Sequence, residues 1–134
     1  MLQLQDFLAH VDSGAAIEGG SEQHRFMHDA AQEAFRITAR INNEHRAPEE
    51  VRTLLSELTG KPIDDSVTVF PPFHTEFGKN LTLGRGVFIN LGCRFQDTGG
   101  ITIGDDGVGR DVLGDHGAGV PAKVIRSTGF DAQA

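Results

Sequence analysis

LTLGRGVFINLGCRFQDTGGITIGDD, residues 81–106, places an aliphatic or aromatic side chain at every sixth position, at Leu83, Ile89, Phe95 and Ile101. Neither the 3.6-residue period of a helix nor the two-residue period of a strand produces that beat. It describes a chain that turns corners and sends one large side chain inward on each face. Three such faces close one coil of a β-helix. The glycines at 84, 86, 92, 99, 100 and 104 fall where corners need a positive φ or a close approach of stacked backbones. The competing arrangement is a β-meander with Gly-rich hairpins. Against it, no Asn-Gly or Asp-Gly turn joins two clean alternating strands, with Asp106-Gly107 the one exception.

Upstream of this array the period is helical. Leu4, Phe7, Leu8 and Val11 at i, i+3, i+4 and i+7 predict a short amphipathic helix ended by Asp12-Ser13-Gly14. Ser21 is placed to cap a long second helix whose apolar stripe runs through Phe26, Met27, Ala30, Ala31, Ala34, Phe35, Ile37 and Ile41 to about Asn43. Pro48, followed by Glu49 and Glu50 near the positive end of the dipole, opens a third helix carrying Val51, Leu54, Leu55 and Leu58, and Gly60 stops it. From Val67 and Val69 the alternation is extended. The chain therefore divides into a helical cap region, 1–62, a β-rich body with a closing segment, 63–126, and a flexible tail, 127–134, all in one compact unit.

The 134 residues suit one domain, and 38% hydrophobic against 23% charged residues allows a packed core. Mean hydropathy is -0.25 and the sequence pI is about 5.2. A net charge of -7 argues against broad attraction to nucleic acid or an anionic membrane. The single cysteine, Cys93, rules out an intrachain disulfide and a Cys-based zinc motif. The start MLQLQDFLAH lacks the basic residues and apolar run of a signal peptide, and no segment has the length of a membrane span. A cytoplasmic location is expected.

PPFHTEFGKNLTLGRGVFINLGCRFQDTGGITIGDD, residues 71–106, resembles the hexapeptide-repeat sugar O-acetyltransferases, the maltose and galactoside acetyltransferase group. GAGVPAKVIR, 117–126, is similar to the segment that closes that family's β-helix, and SGAAIEGGSEQHRFMHDAAQEAFRITARINN, 13–43, fits its helical cap. The resemblance implies a mainly β fold, a short left-handed parallel β-helix with an α-helical N-terminal cap, assembled as a homotrimer. It also implies acetyl-CoA as co-substrate, a sugar or other small hydroxyl compound as acceptor, and no metal. The family's further coils and its extruded loop with an Asn-His-Asp-like motif, whose His is the general base, have no match. Ile103-Gly104-Asp105-Asp106 runs within a few residues into Leu113-Gly114-Asp115-His116 and on to the closing segment. An in-register deletion between two repeats would leave this join and a truncated β-helix. Gly109, six after Ile103, breaks the inward ladder.

Acyl transfer from a thioester to a hydroxyl needs a base within reach of that hydroxyl, donors for the oxyanion, and a surface for the acyl carrier. The histidines are at 10, 24, 28, 45, 74 and 116. With the family's catalytic His unmatched, the catalytic residue is unknown and His74 and His116 are the candidates. The alternative for His116 is an exposed turn histidine. By resemblance, His74 and Glu76 sit at the mouth of the acceptor pocket, and Asn90 and Asp97 line it. For Asn90 and Asp97 the alternative is capping of turn amides by a side-chain oxygen. Lys123 and Arg126 match residues near the nucleotide end of acetyl-CoA; otherwise they lie on a solvated strand edge. His24 and His28, at i and i+4, could hold zinc only with a third ligand that the spacing does not supply. A γ-carbonic-anhydrase-like zinc β-helix would need three converging histidines at spacings that are absent. Two functions stand: an acetyl-CoA-dependent O-acetyltransferase impaired by loss of the His loop, or a non-catalytic remnant that acts in oligomerisation or ligand binding.

Overall fold

A computed structural model describes residues 2–109. The first helix, α1, spans Leu4–Asp12, and α2 spans Glu22–Asn42. The Ser21 hydroxyl accepts the first-turn N–H of His24 at 3.1 Å, the cap expected from the sequence. Helix α3 spans Pro48–Thr59, with proline in its first turn and Gly60 in the left-handed region at φ 73. Ala34, Ile37 and Ile41 of α2 and Val51, Leu54, Leu55 and Leu58 of α3 are buried in one cluster with the β residues that follow. Phe35, expected on the same stripe, is instead exposed, because it follows Ala34 by one residue and so turns off the buried face. Helix α1 is tied on separately. Its Phe7 is fully buried between Phe26 and Phe77, at ring separations of 5.0 and 5.3 Å.

The β-rich body is built from seven short strands: β1 (Thr68–Val69), β2 (His74–Thr75), β3 (Leu81–Leu83), β4 (Phe88–Ile89), β5 (Arg94–Phe95), β6 (Ile101–Ile103) and β7 (Val108–Gly109). They form three sheets in the orders β1-β4-β7, β2-β5 and β3-β6, and each of these pairings is parallel. Sequence neighbours never pair, so the β-meander is excluded and the chain coils around three faces. Successive coils are offset by twenty residues, as in Thr68–Phe88, His74–Arg94 and Leu81–Ile101.

Twenty residues exceed three six-residue steps by two, and β6 takes up the excess: Ile101, six after Phe95, and Ile103 are both buried, stacked on Leu81 and Leu83. The corner before β6 holds Asp97, which is fully buried. Its Oδ1 accepts from the Thr75 hydroxyl at 2.6 Å and from the main-chain N–H of Phe77 (3.1 Å) and Gly78 (2.9 Å). Oδ2 accepts from Asn80 N–H at 3.1 Å. The corner lets one carboxylate satisfy three amides of the preceding coil that would otherwise be buried without partners.

The opposite corner uses exposed groups. Gly86 N–H donates to the Ser66 hydroxyl at 2.7 Å, and Arg85 N–H donates to Asp105 Oδ1 at 2.8 Å. Gly86 and, one coil on, Asp106 lie in the left-handed region at φ 68 and 62. Gly84 is required for space, because a Cβ there would lie 2.5 Å from Asp105 Oδ1. Gly104 meets neither requirement: its φ is not positive and a Cβ would have no neighbour within 4 Å.

The inward ladder runs from Val69 to Ile89 and then to Gly109, so its third rung lacks a side chain. Helices and coils are joined by lysines. Lys79 Nζ donates to the Leu58 carbonyl at the end of α3 (2.6 Å), and Lys61 Nζ donates to the carbonyls of Lys79 and Leu81 and to the Thr82 hydroxyl. Burial holds the Lys61 amine below the usual lysine range, opposed by the attraction of Asp97.

Candidate functional site

The turn from α2 to α3 and the corner between β1 and β2 face each other across a cleft of about 600 Å³. Asn42 fixes their separation. Its amide Nδ2 donates to the Phe73 carbonyl and its Oδ1 accepts Phe73 N–H, both at 2.8 Å, in a two-point clamp between the helix end and the coil. One wall carries Asn43 and His45; the other carries Phe70, Pro71, Pro72 and Leu91. Phe70 and Leu91 are 47% and 56% exposed, unusual for large apolar side chains on a rigid corner. Phe70 is held in place edge-on against Phe88, with ring centroids 4.9 Å apart.

Rings and prolines opposite amide and imidazole groups suit a ligand with both an apolar face and hydroxyls, and the volume lies in the range of small-molecule sites. Of the described residues that line the cleft only Glu44 and Arg46 carry formal charge, and they are paired with each other at 3.2 Å. The cleft is therefore close to electrically neutral, as a polyol site would be.

Among the residues singled out by sequence, Asn90 lies nearest this cleft, next to the lining residue Leu91. Its Oδ1 accepts Leu91 N–H at 2.9 Å, so the oxygen caps the corner, while no described residue accepts from its amide nitrogen. Asp97 is not at a surface at all: both carboxylate oxygens are engaged within the protein and the side chain has no solvent exposure. That geometry is corner capping. His74 is exposed on the outer surface of the β2–β5 sheet beside its register partner Arg94. Glu76, half-buried on that side, accepts from the Thr98 hydroxyl at 2.9 Å. His74 does not line the cleft.

His116, Lys123 and Arg126 lie outside the described residues. His24 Nδ1 accepts Gly20 N–H at 3.2 Å, and no group of three metal-ligating side chains occurs among the described residues. Nor is any described helix long and apolar enough to cross a membrane.

Sequence reasoning missed Asn43, His45, Phe70 and Leu91. The available signal was the alternation of Val67 and Val69, which turns Phe70 outward beside Pro71-Pro72 and so marks an exposed aromatic that packing alone does not require.

No protein-family model matches the chain. It is similar to a provisionally named acetyltransferase of Staphylococcus aureus (strain COL), 34% identical over 66 residues, which make up 49% of this chain and 33% of that protein. It is also similar to nodulation protein L of Rhizobium leguminosarum bv. viciae, 46% identical over 35 residues, 26% of this chain and 18% of that protein. Among solved structures it resembles a hexapeptide-repeat-containing acetyltransferase of Vibrio cholerae. The form complexed with acetyl coenzyme A superposes with a TM-score of 0.56 and 28% identity over 77% of this chain and 54% of that one. A second structure of the Vibrio protein gives 0.57 and 34% over 63% and 47%. These matches thus span from about a fifth to about half of the length of the relatives.

Proposed function

We propose that the chain is an acetyl-CoA-dependent O-acetyltransferase acting on a sugar or another small hydroxyl acceptor. The observation that carries this reading is the neutral cleft with an apolar wall of Phe70, Pro71, Pro72 and Leu91 at the corner of a parallel β-coil, in a chain similar to proteins named acetyltransferases. The acceptor lies with its apolar face on Phe70 and Leu91 and its hydroxyls toward Asn43 and the amide of Asn90. His74 and Glu76, the other acceptor-binding candidates, lie on the outer face of the β2–β5 sheet, outside the cleft. Asp97 acts from beneath, by holding the coil that carries Asn90.

Acetyl-CoA is the acyl donor by analogy with the Vibrio complex, and Lys123 and Arg126 are its proposed cationic contacts. The β-helix is left-handed, shortened by loss of the coils that bear the family's His loop, and assembles as a homotrimer in the cytoplasm.

A specific observation favours a second reading, a non-catalytic remnant that binds ligand or assembles. Gly109 empties the third rung of the Val69–Ile89 ladder, which weakens the stacking on which further coils depend. Release of free CoA thiol from acetyl-CoA, measured with glucose, maltose, galactose and isopropyl thiogalactoside, separates the two. Acceptor-dependent release is expected for the transferase. Folded protein that releases none is the remnant.

A further inference from the structure

We infer that His45 is the general base for the acceptor hydroxyl. This rests on the transferase reading above and supplies the residue that the reading lacks. His45 is the only histidine among the described residues that line the cleft, and it is exposed. Its imidazole has no hydrogen-bond partner among the described residues, so a ring nitrogen is available to a bound ligand.

The loop around His45 is braced rather than free. The Glu44 carboxylate and Arg46 guanidinium are paired at 3.2 Å, Arg46 Nε donates to the Arg40 carbonyl, and Asn42 clamps Phe73. On its own loop the charged groups near His45 are Glu44 and Arg46, which offset each other. The opposite wall of Thr68, Val69, Phe70, Pro71, Pro72 and Leu91 contains no titratable group. No carboxylate competes there for the imidazole.

The chemistry balances without a further reagent. His45 takes the acceptor's hydroxyl proton as the oxygen attacks the carbonyl carbon of the acyl thioester. The tetrahedral adduct collapses with cleavage of the C–S bond. The imidazolium then returns its proton to the departing sulfur, giving an ester and a free thiol. A positioned base of this kind contributes on the order of 10²- to 10⁴-fold in rate.

The test measures kcat and KM for CoA thiol release, with the acceptor panel above, for wild type, His45→Ala, His45→Gln, His74→Ala and His116→Ala. Circular dichroism establishes that each variant is folded, and calorimetric titration with the best acceptor measures its binding. The expected result is a fall in kcat on the order of 10²-fold in both His45 variants, with acceptor affinity retained in His45→Gln. Wild-type turnover that survives His45→Ala overturns the assignment of the base while leaving the transferase reading intact. A fall carried entirely by KM also overturns it, making His45 a binding residue. Absence of turnover in folded wild-type protein overturns both.

Discussion

Two corners of the same coil solve the same problem with opposite burial. At one, Asp97 is sealed from solvent and accepts four hydrogen bonds from the preceding coil. At the other, Asp105 accepts Arg85 N–H and pairs with its guanidinium at 3.5 Å, in open solvent. Water can replace Asp105 at little cost, whereas nothing can replace Asp97. The chemistry of a carboxylate over a turn amide is therefore shared by both corners, and burial decides which of them the fold depends on. It also explains why an aspartate that resembles a site residue is engaged here in the frame of the coil.

The contrast can be broken by substitution. Asp97→Ala should cost about 3 to 5 kcal/mol, because three main-chain N–H groups and one hydroxyl lose their acceptor in the interior. Urea unfolding would show it as a fall in midpoint at constant slope, or as failure to fold. Gly78→Ala follows, at about 2 kcal/mol. It donates to the same carboxylate from φ 82, and a Cβ there would lie 2.6 Å from Leu58 Cδ1. Thermal unfolding of that variant measures whether the helical cap can shift to make room.

Asn42→Ala should cost about 1 to 2 kcal/mol, since the two Phe73 main-chain groups it clamps are only partly shielded from water. The same substitution should loosen the cleft and weaken acceptor binding, which calorimetric titration would detect. Asp105→Asn should have the smallest effect at neutral pH. The Arg85 N–H holds the Asp105 carboxyl below the usual carboxylate range, and hydrogen bonds from Ser66 do the same for Asp64. A carboxyl with a lowered folded pKa contributes stability above its unfolded value, near pH 4, and loses it as pH falls through the folded value. Below about pH 4, Asp105→Asn should therefore show a slightly shallower loss of stability than wild type.

Much of the fold was legible because it rests on local chemistry. Ser21, Pro48 and Gly60 bound their helices, and the six-residue beat selects a coiled chain over a meander. The doubled inward step at Ile101 and Ile103 was not legible, nor was the reach of the Asp97 carboxylate to amides about twenty residues away. The site was less legible than the fold. Asn90 falls beside the cleft and His74 outside it, while His45 belongs to a helix–helix turn whose relation to Phe70 and Leu91 exists only after Asn42 has clamped Phe73. No spacing within either segment encodes that meeting. Asp97 shows the converse limit: resemblance marked the residue, and only burial separated its two readings.

The proposed acceptor site is the cleft between the α2–α3 turn and the β1–β2 corner. Its occupation can be read by amide-resolved NMR titration of the ¹⁵N-labelled chain with the acceptor that supports turnover. Saturable shifts are expected at Asn43, His45, Phe70 and Leu91. Shifts confined to the outer face of His74, Glu76 and Arg94, or no saturable shifts at all, would contradict it.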